Sequence, residues 1–375
     1  MALYKYDSFM HITIICDGFR IGGIERLVLD QAYEISKQGK KCDIVVLNQK
    51  PSAEQDSFEN RELDLFLKYS IKISYFAGTR RHQFVSLIKI VVKSNVIFAH
   101  SLRGAVLVWF VRKFTGGGYK IVTVIHQLPT LSRTSQLLRR MFYAQFCDRL
   151  LIFSLAAKED WEYRRNLNLI RKLMPIRKQI SVCRNGVFLP RLESNRLEKL
   201  GSRTMVERLV YVGRLTSWKG IDTFLRLAQL PELSHLEVLI VAPTSAEGLL
   251  SSASENLHRR TKIIVGKSFS EVNFRESDLH IYPATYGDNL DFVEGVSINV
   301  LEMSYLGIPS LITIGGSKTW PELVEFGLIK EVNWSDLKAI SKLILSGTLH
   351  RKSLNLHTVR ELLDIKHNLH NMLNN

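Results

Sequence analysis

The chain has 375 residues, of which 46% are hydrophobic and 23% charged, with a formal net charge of +15. That length allows two domains with separate cores, and the composition is that of a soluble globular protein. No apolar stretch reaches the ~18 residues a membrane span needs; AVLVWFV at 105–111 is flanked by Arg103 and Arg112. The opening MALYKYDSFMHITIIC lacks the apolar core of a secretory signal, because ITIIC is too short. Cys16, Cys42, Cys147 and Cys183 are scattered without a CxxC pair, so reduced thiols are expected rather than a disulfide framework or a zinc site.

The charge is uneven. Residues 1–186 carry 30 Lys and Arg against 15 Asp and Glu, whereas 187–375 carry 21 of each. Residues 65–147 hold 13 basic side chains and no acidic one. A basic face on one domain attracts anions: phospholipid headgroups, a phosphorylated acceptor or nucleic acid.

In chain order, the first half alternates β-rich runs with helical patterns. The runs are HITIIC (11–16), DIVVLN (43–48), IKISY (71–75), NVIFA (95–99), KIVTVI (120–125), RLLIFS (149–154) and QISVC (179–183). Continuous apolar strands between amphipathic helices predict a parallel sheet covered on both faces. A first helix is expected over 24–38, burying Leu27, Ala32 and Ile35 and stopping at Gly39. The polar stretch 190–207 reads as a linker. The second half repeats the plan with RLVYVG (208–213), EVLIVA (237–242), TKIIVG (261–266), LHIYP (279–283) and PSLITI (309–314). An amphipathic helix is expected over 353–375. The fold class is therefore α/β, with two Rossmann-like, doubly wound parallel-sheet domains. They span 1–189 and 190–352, and the terminal helix 353–375 packs back on the first. Two such domains facing each other place a ligand cleft at the carboxyl ends of their strands.

Three glycine-bearing loops lie just after strands. In GFRIGGIERLVLD (18–30), Gly22 and Gly23 precede a helix and let the backbone approach a phosphate or sugar. The spacing is not GxGxxG, which argues against a dinucleotide-dependent oxidoreductase. In YVGRLTSWKGIDTF (211–224), Arg214 and Lys219 lie five residues apart across a strand–loop–helix turn. They suit a diphosphate, one as a bidentate fork and one as a point charge. In FVEGVSINVLEMSYLGIP (292–309), the amides of Val296 and Ser297 lie at a helix start, where anions bind. At helical pitch Glu294 and Glu302, eight residues apart, lie on neighbouring faces about 12 Å apart along the axis.

Together these segments resemble a retaining GT-B glycosyltransferase of family 4. The resemblance rests on YVGRL with WKGID, on FVEGVSINVLEMSYLGIPSL with its Glu-x7-Glu spacing, and on TWPELVEFG. GGIERLVLDQAYEISKQGKKCDIVVLN, NVIFAHS, IVTVIHQ, LIFSLAAKEDW and ISVCRNGV follow in the family's order, so the likeness runs from about residue 11 to 330. It implies that Arg214 and Lys219 hold a donor diphosphate with the amides of Val296 and Ser297, and that Glu302 accepts from ribose hydroxyls. It further implies that Glu294 and His126 lie at the reacting centre and that Gly22 and Gly23 approach the donor phosphates. Glu294 is then either an electrostatic stabiliser of an oxocarbenium-like state or a nucleophile. Two positions depart from the family's pattern: Ser297 stands where glycine is usual, and Gln127 where aspartate commonly follows the histidine.

No metal or other cofactor is expected, the nucleotide sugar (UDP- or GDP-linked) being a substrate. GDNLD (287–291) reads as a solvated loop rather than a metal pair, and GGG (116–118) as a helix stop. The mixed basic and apolar stretches SRTSQLLRRMFYAQF (132–146) and YRRNLNLIRKLMPIRK (163–178) suit an anionic membrane surface. No nucleic-acid module is recognised. The expected partner is a lipid-linked or phosphorylated glycan acceptor. The expected location is cytoplasmic, peripheral at the inner face of the membrane. The rival readings are a catalytically weak, nucleotide-sugar-binding partner subunit and a basic nucleic-acid-binding protein.

Overall fold

A computed structural model describes residues 10–18, 23–48, 63–76, 80–126, 146–153, 180–193, 205–243, 246, 248–251, 254–267, 269–284, 296–349 and 355–374. The chain divides into two compact units: residues 1–184 with 365–375, and residues 185–364.

In the first unit the apolar runs form strands β1 (His11–Cys16), β2 (Lys41–Val46), β3 (Lys72–Tyr75), β4 (Val96–Ala99), β5 (Lys120–Ile125), β6 (Arg149–Ile152) and β7 (Ile180–Val182). They make one parallel sheet in the order β3-β2-β1-β4-β5-β6-β7. The order reverses between β1 and β4, the point where doubly wound sheets open a crevice at their carboxyl ends. Helices α1 (Gly23–Lys37), α2 (Leu63–Tyr69), α3 (Arg80–Val91) and α4 (Leu102–Thr115) accompany them. As expected, α1 buries Leu27, Ala32 and Ile35; it also buries Asp30, Gln31 and Glu34. Ser101 caps α4 by accepting from the Gly104 amide, and Gly116 ends it in a left-handed conformation.

The second unit holds β8 (Arg208–Val212), β9 (Glu237–Ala242), β10 (Thr261–Val265), β11 (Asp278–Tyr282), β12 (Ser310–Thr313) and β13 (Ile329–Val332). They form a parallel sheet in the order β10-β9-β8-β11-β12-β13. Helices α5 (Ile221–Ala228), α6 (Glu255–Arg260), α7 (Ile298–Leu306), α8 (Pro321–Glu325), α9 (Leu337–Leu345) and α10 (Leu356–Leu363) complete it. Tyr211, Phe224, Leu227, Ile240, Ile281 and Leu311 lie at the centre of its core. At the start of β8 the buried Arg208 grips Asp278 on β11 through two hydrogen bonds of 2.7 Å. That bidentate pair satisfies both charges where the sheet would otherwise strand them. Strand β13, with sequence IKEV, escapes the sequence reading because it is a short edge strand whose two central residues, Lys330 and Glu331, are charged.

The tail differs from the single helix expected over 353–375. Asp364 is extended (φ −61°, ψ 121°) and bridges Val187, which breaks the run in two. Helix α10 packs on α7 in the second unit. The helix Ile365–Asn374 packs on α1 in the first, with Leu369 and Met372 buried. Arg149 secures its end by donating to the Met372 carbonyl at 3.1 Å and the Asn371 carbonyl at 3.4 Å. The division between units falls at 184/185 rather than 189/190. Residues Leu189–Leu192, at the start of the expected linker, form a helical turn with Arg191 and Leu192 buried.

Candidate active site

In the second unit, the loop after β8 is held from beneath by the buried Tyr211. Its hydroxyl donates to the Arg214 carbonyl at 2.8 Å and reaches the Lys219 carbonyl at 3.4 Å. The loop closes at Gly220, with φ +77°; a Cβ there would lie 2.4 Å from the Pro283 carbonyl oxygen. Only glycine meets both demands, the left-handed backbone and the close approach to the end of β11. The two expected cations share one aromatic ring. The Arg214 guanidinium carbon lies 5.0 Å from the Trp218 ring centroid and the Lys219 ammonium 4.5 Å from it. Lys219 also donates to the Tyr282 hydroxyl at 2.6 Å. Arg214 is exposed, so its fork is presented to solvent while the indole limits its freedom.

Helix α7 starts beside this loop. Asn299, in its first turn, donates to the Val212 carbonyl at 2.8 Å, joining the helix start to the end of β8. Ser297, which departs from the family's usual glycine, is the N-cap, and its hydroxyl accepts from the Val300 amide. Val296 is buried, and with Val300, Tyr282 and Thr313 it lines a small concavity at the carboxyl ends of β11 and β12. Arg214, Lys219, Val296 and Ser297 thus belong to one end of one sheet, where two cations and a helix start make an electropositive seat.

Glu302 is differently placed. It lies one turn into α7, only 4% exposed, and accepts from Arg191 at 2.6 Å. Any ribose hydroxyl using this carboxylate must share it with a buried guanidinium. Helix α7 begins at Ile298, so the axial spacing expected for Glu294 and Glu302 from a continuous helix does not apply. Glu294 itself lies outside the described residues, as do Gly22, GDNLD (287–291), 163–178 and all of 132–146 except Phe146.

In the first unit, Gly23 opens α1, and a Cβ built there meets none of the described residues within 4 Å. His126 follows β5 and lies against two neighbours. Its Nε2 is 2.9 Å from Nδ1 of His100, the residue after β4, the two rings lying edge to edge with centroids 5.1 Å apart and planes 24° apart. Phe153 packs on its other side, with centroids 5.2 Å apart. Burial pushes the His126 imidazole down to about 3. Burial, with His126 alongside, pushes His100 well below its ordinary value. Both rings are neutral at pH 7.

Tyr211, Tyr282, Trp218, Asn299 and His100 escape the sequence reading. Tyr211, Tyr282 and His100 reach predicted residues from strands or strand ends, Trp218 lies in the loop with the two cations, and Asn299 ties the helix start to β8. Among the described residues no three His, Cys, Asp or Glu side chains cluster as a metal site would.

No family model matches the sequence, and no curated protein does. Solved structures do match the fold. HepE of Anabaena, in complex with UDP-glucose, superposes with a TM-score of 0.67 at 14% identity over 97% of this chain and 98% of its own. The lipopolysaccharide outer core galactosyltransferase WaaB gives a TM-score of 0.62 at 15% identity over 97% and 99%. An α-glucosyltransferase in complex with UDP and a 13-mer DNA gives 0.67 at 12% over 97% and 98%. The fold is therefore α/β of the GT-B glycosyltransferase type, two parallel sheets of seven and six strands with their helices.

Proposed function

We propose that this chain is a retaining glycosyltransferase that moves a sugar from a UDP- or GDP-linked donor to a hydroxyl of a membrane-associated acceptor. The acceptor class we favour is a surface polysaccharide, lipopolysaccharide or glycolipid. The observation that carries the reading is the electropositive seat beyond β8: Arg214 and Lys219 on one indole, beside the capped start of α7. A nucleoside diphosphate leaving group develops negative charge, and preorganised cations and amides stabilise it without rearranging during the reaction. Glu294 is assigned to the cationic face of the transferred sugar, His126 to its hydroxyls and Gly23 to the phosphates. Glu302 is assigned to ribose in company with Arg191.

The structural neighbours support the donor side, since HepE holds UDP-glucose and the α-glucosyltransferase holds UDP. Their second partners differ, one being in complex with DNA and another a lipopolysaccharide outer core galactosyltransferase, so the acceptor is argued from charge. The run 65–147, basic and without an acid, favours an anionic, membrane-held acceptor. No helix among the described residues is long and apolar enough to cross a membrane, which is compatible with peripheral attachment.

A thermal-shift screen of UDP, GDP, ADP and their sugar conjugates tests the donor site. A ligand at a hundredfold excess over its Kd stabilises the native state by about 2.7 kcal/mol. Stabilisation by one nucleotide family, lost on Arg214→Ala or Lys219→Ala, supports the reading. No shift with any nucleotide overturns it. Binding without turnover on lipid-linked acceptors favours the partner-subunit alternative.

A further inference from the structure

The first unit contains a polar chain that the donor site does not use. Gln31, on α1 and fully buried, has its Oε1 2.8 Å from Nε2 of His100. Its amide nitrogen lies 3.4 Å from the Met372 sulfur on the C-terminal helix. His100 Nδ1 lies 2.9 Å from His126 Nε2. Each link has a fixed direction. A thioether accepts and cannot donate, so the NH2 end of the Gln31 amide faces Met372 and its carbonyl faces His100. A carbonyl oxygen only accepts, so His100 carries its proton on Nε2. Its Nδ1 is then bare and can only accept, so His126 must donate from Nε2. The remaining nitrogen of His126, Nδ1, keeps its lone pair and has no partner among the described residues.

We infer that Gln31 and His100 are positioning residues that hold His126 as the Nε2–H tautomer, so that it offers the bound sugar a bare Nδ1 that accepts from a hydroxyl. The meaning for transfer rests on the proposed glycosyl transfer; the tautomer chain rests on this unit alone. Burial of His100 makes the arrangement one-sided, because an N–H turned toward a group that cannot accept it loses a hydrogen bond in a dry site. The in-plane hydrogen bond to His100 and the Phe153 ring packed against His126 limit rotation of the imidazole. The C-terminal helix therefore reaches the site through a single amide orientation. An imidazole in the wrong tautomer presents a donor where an acceptor is needed, and well-placed neighbours exist to prevent this.

The test is 15N NMR of the full-length protein labelled at histidine, without donor, His126→Phe identifying the His126 signals. Both His100 and His126 are expected in the Nε2–H form, with a scalar coupling across the bond from His126 Nε2 to His100 Nδ1. In Gln31→Met, of similar size, the acceptor for His100 Nε2 is gone. The His100 proton is expected to move to Nδ1 and donate to His126, whose own proton moves to Nδ1. Wild-type His126 in the Nδ1–H form, or no coupling across the pair, overturns the chain. An unchanged His126 tautomer in Gln31→Met overturns the part assigned to Gln31. These readings need no substrate, so they stand apart from the fate of the proposed activity. Where wild-type transfer is measured, Gln31→Met is expected to lower kcat by about tenfold or more with donor affinity in the second unit unchanged. Equal kcat overturns the positioning role.

Discussion

The two units share one plan and put different chemistry at the same place in it. Both sheets run outward from a central strand and reverse beside it, β1 against β4 and β8 against β11. At the carboxyl end of the first, two neutral imidazoles and a buried amide are joined in a line, with His126 half-buried at its end. At the carboxyl end of the second, they are two cations on an indole and a helix start. The net charge runs the other way, since the basic excess is in the first half and the second is balanced. Thus the charge of a domain does not set the charge of its site. The second unit neutralises two of its buried charges in pairs, Arg208 with Asp278 and Arg191 with Glu302, and leaves Arg214 exposed at the carboxyl end of its sheet.

That contrast can be broken most severely at the paired charges. Arg191→Met leaves Glu302 buried and uncompensated, and is expected to cost about 3–5 kcal/mol in denaturant-melted stability. Replacing both partners by apolar residues of similar size should recover most of it; a single variant as stable as wild type would show that the pair is open to water. Next comes Glu294→Gln, expected to reduce turnover about 10²–10³-fold while nucleotide binding by thermal shift stays intact. Undiminished turnover would remove Glu294 from the proposed chemistry. Arg214→Ala and Lys219→Ala should each weaken nucleoside diphosphate binding by about 1.5–3 kcal/mol, with a shallower salt dependence, by titration calorimetry. Equal affinity in both would dismiss the electropositive seat.

The smallest expected effect concerns pH. His280, fully buried on β11, bonds Ser310 through Nδ1 at 2.9 Å, and its Nε2 has no partner among the described residues. Burial lowers it to about 3, against about 6.5 in an unfolded chain. Between those values the unfolded chain takes up the proton and the folded chain does not. Stability therefore falls as pH falls below about 6.5, by at most about 1.4 kcal/mol per pH unit for this residue. Denaturant melts at pH 7.5, 6 and 5 should show a flatter decline in His280→Gln than in wild type. Parallel declines would mean that His280 takes up its proton in the folded state.

Much of the architecture was legible in residue order. Twelve of the thirteen strands announced themselves because parallel strands buried on both faces read as unbroken apolar runs. The exception, β13, is four residues long and two of them, Lys330 and Glu331, are charged, so it shows no apolar run. Gly220 was legible as a loop residue, yet its necessity depends on Pro283, 63 positions later, which no local pattern reports. The break at Asp364 was hidden for the same reason, since the amphipathic pattern of 353–375 continues across it while the bridge to Val187 interrupts the backbone.

By itself, then, the sequence determined the α/β plan and, through the resemblance its motifs carry, nominated the residues of the proposed site: Arg214, Lys219, Glu302, Val296, Ser297, Gly22 and Gly23 for the donor, Glu294 and His126 for the reacting centre. These lie in segments whose local pattern carries their meaning, a glycine after a strand or a cap before a helix. Only tertiary structure decided what those side chains face. Lys219 meets Tyr282, Glu302 meets Arg191, and His126 meets His100 and through it Gln31, each across 26 to 111 positions of chain. Hydrogen-bond direction and charge burial depend on distance in space, and the protonation of an imidazole is set by the neighbour that folding brings to it.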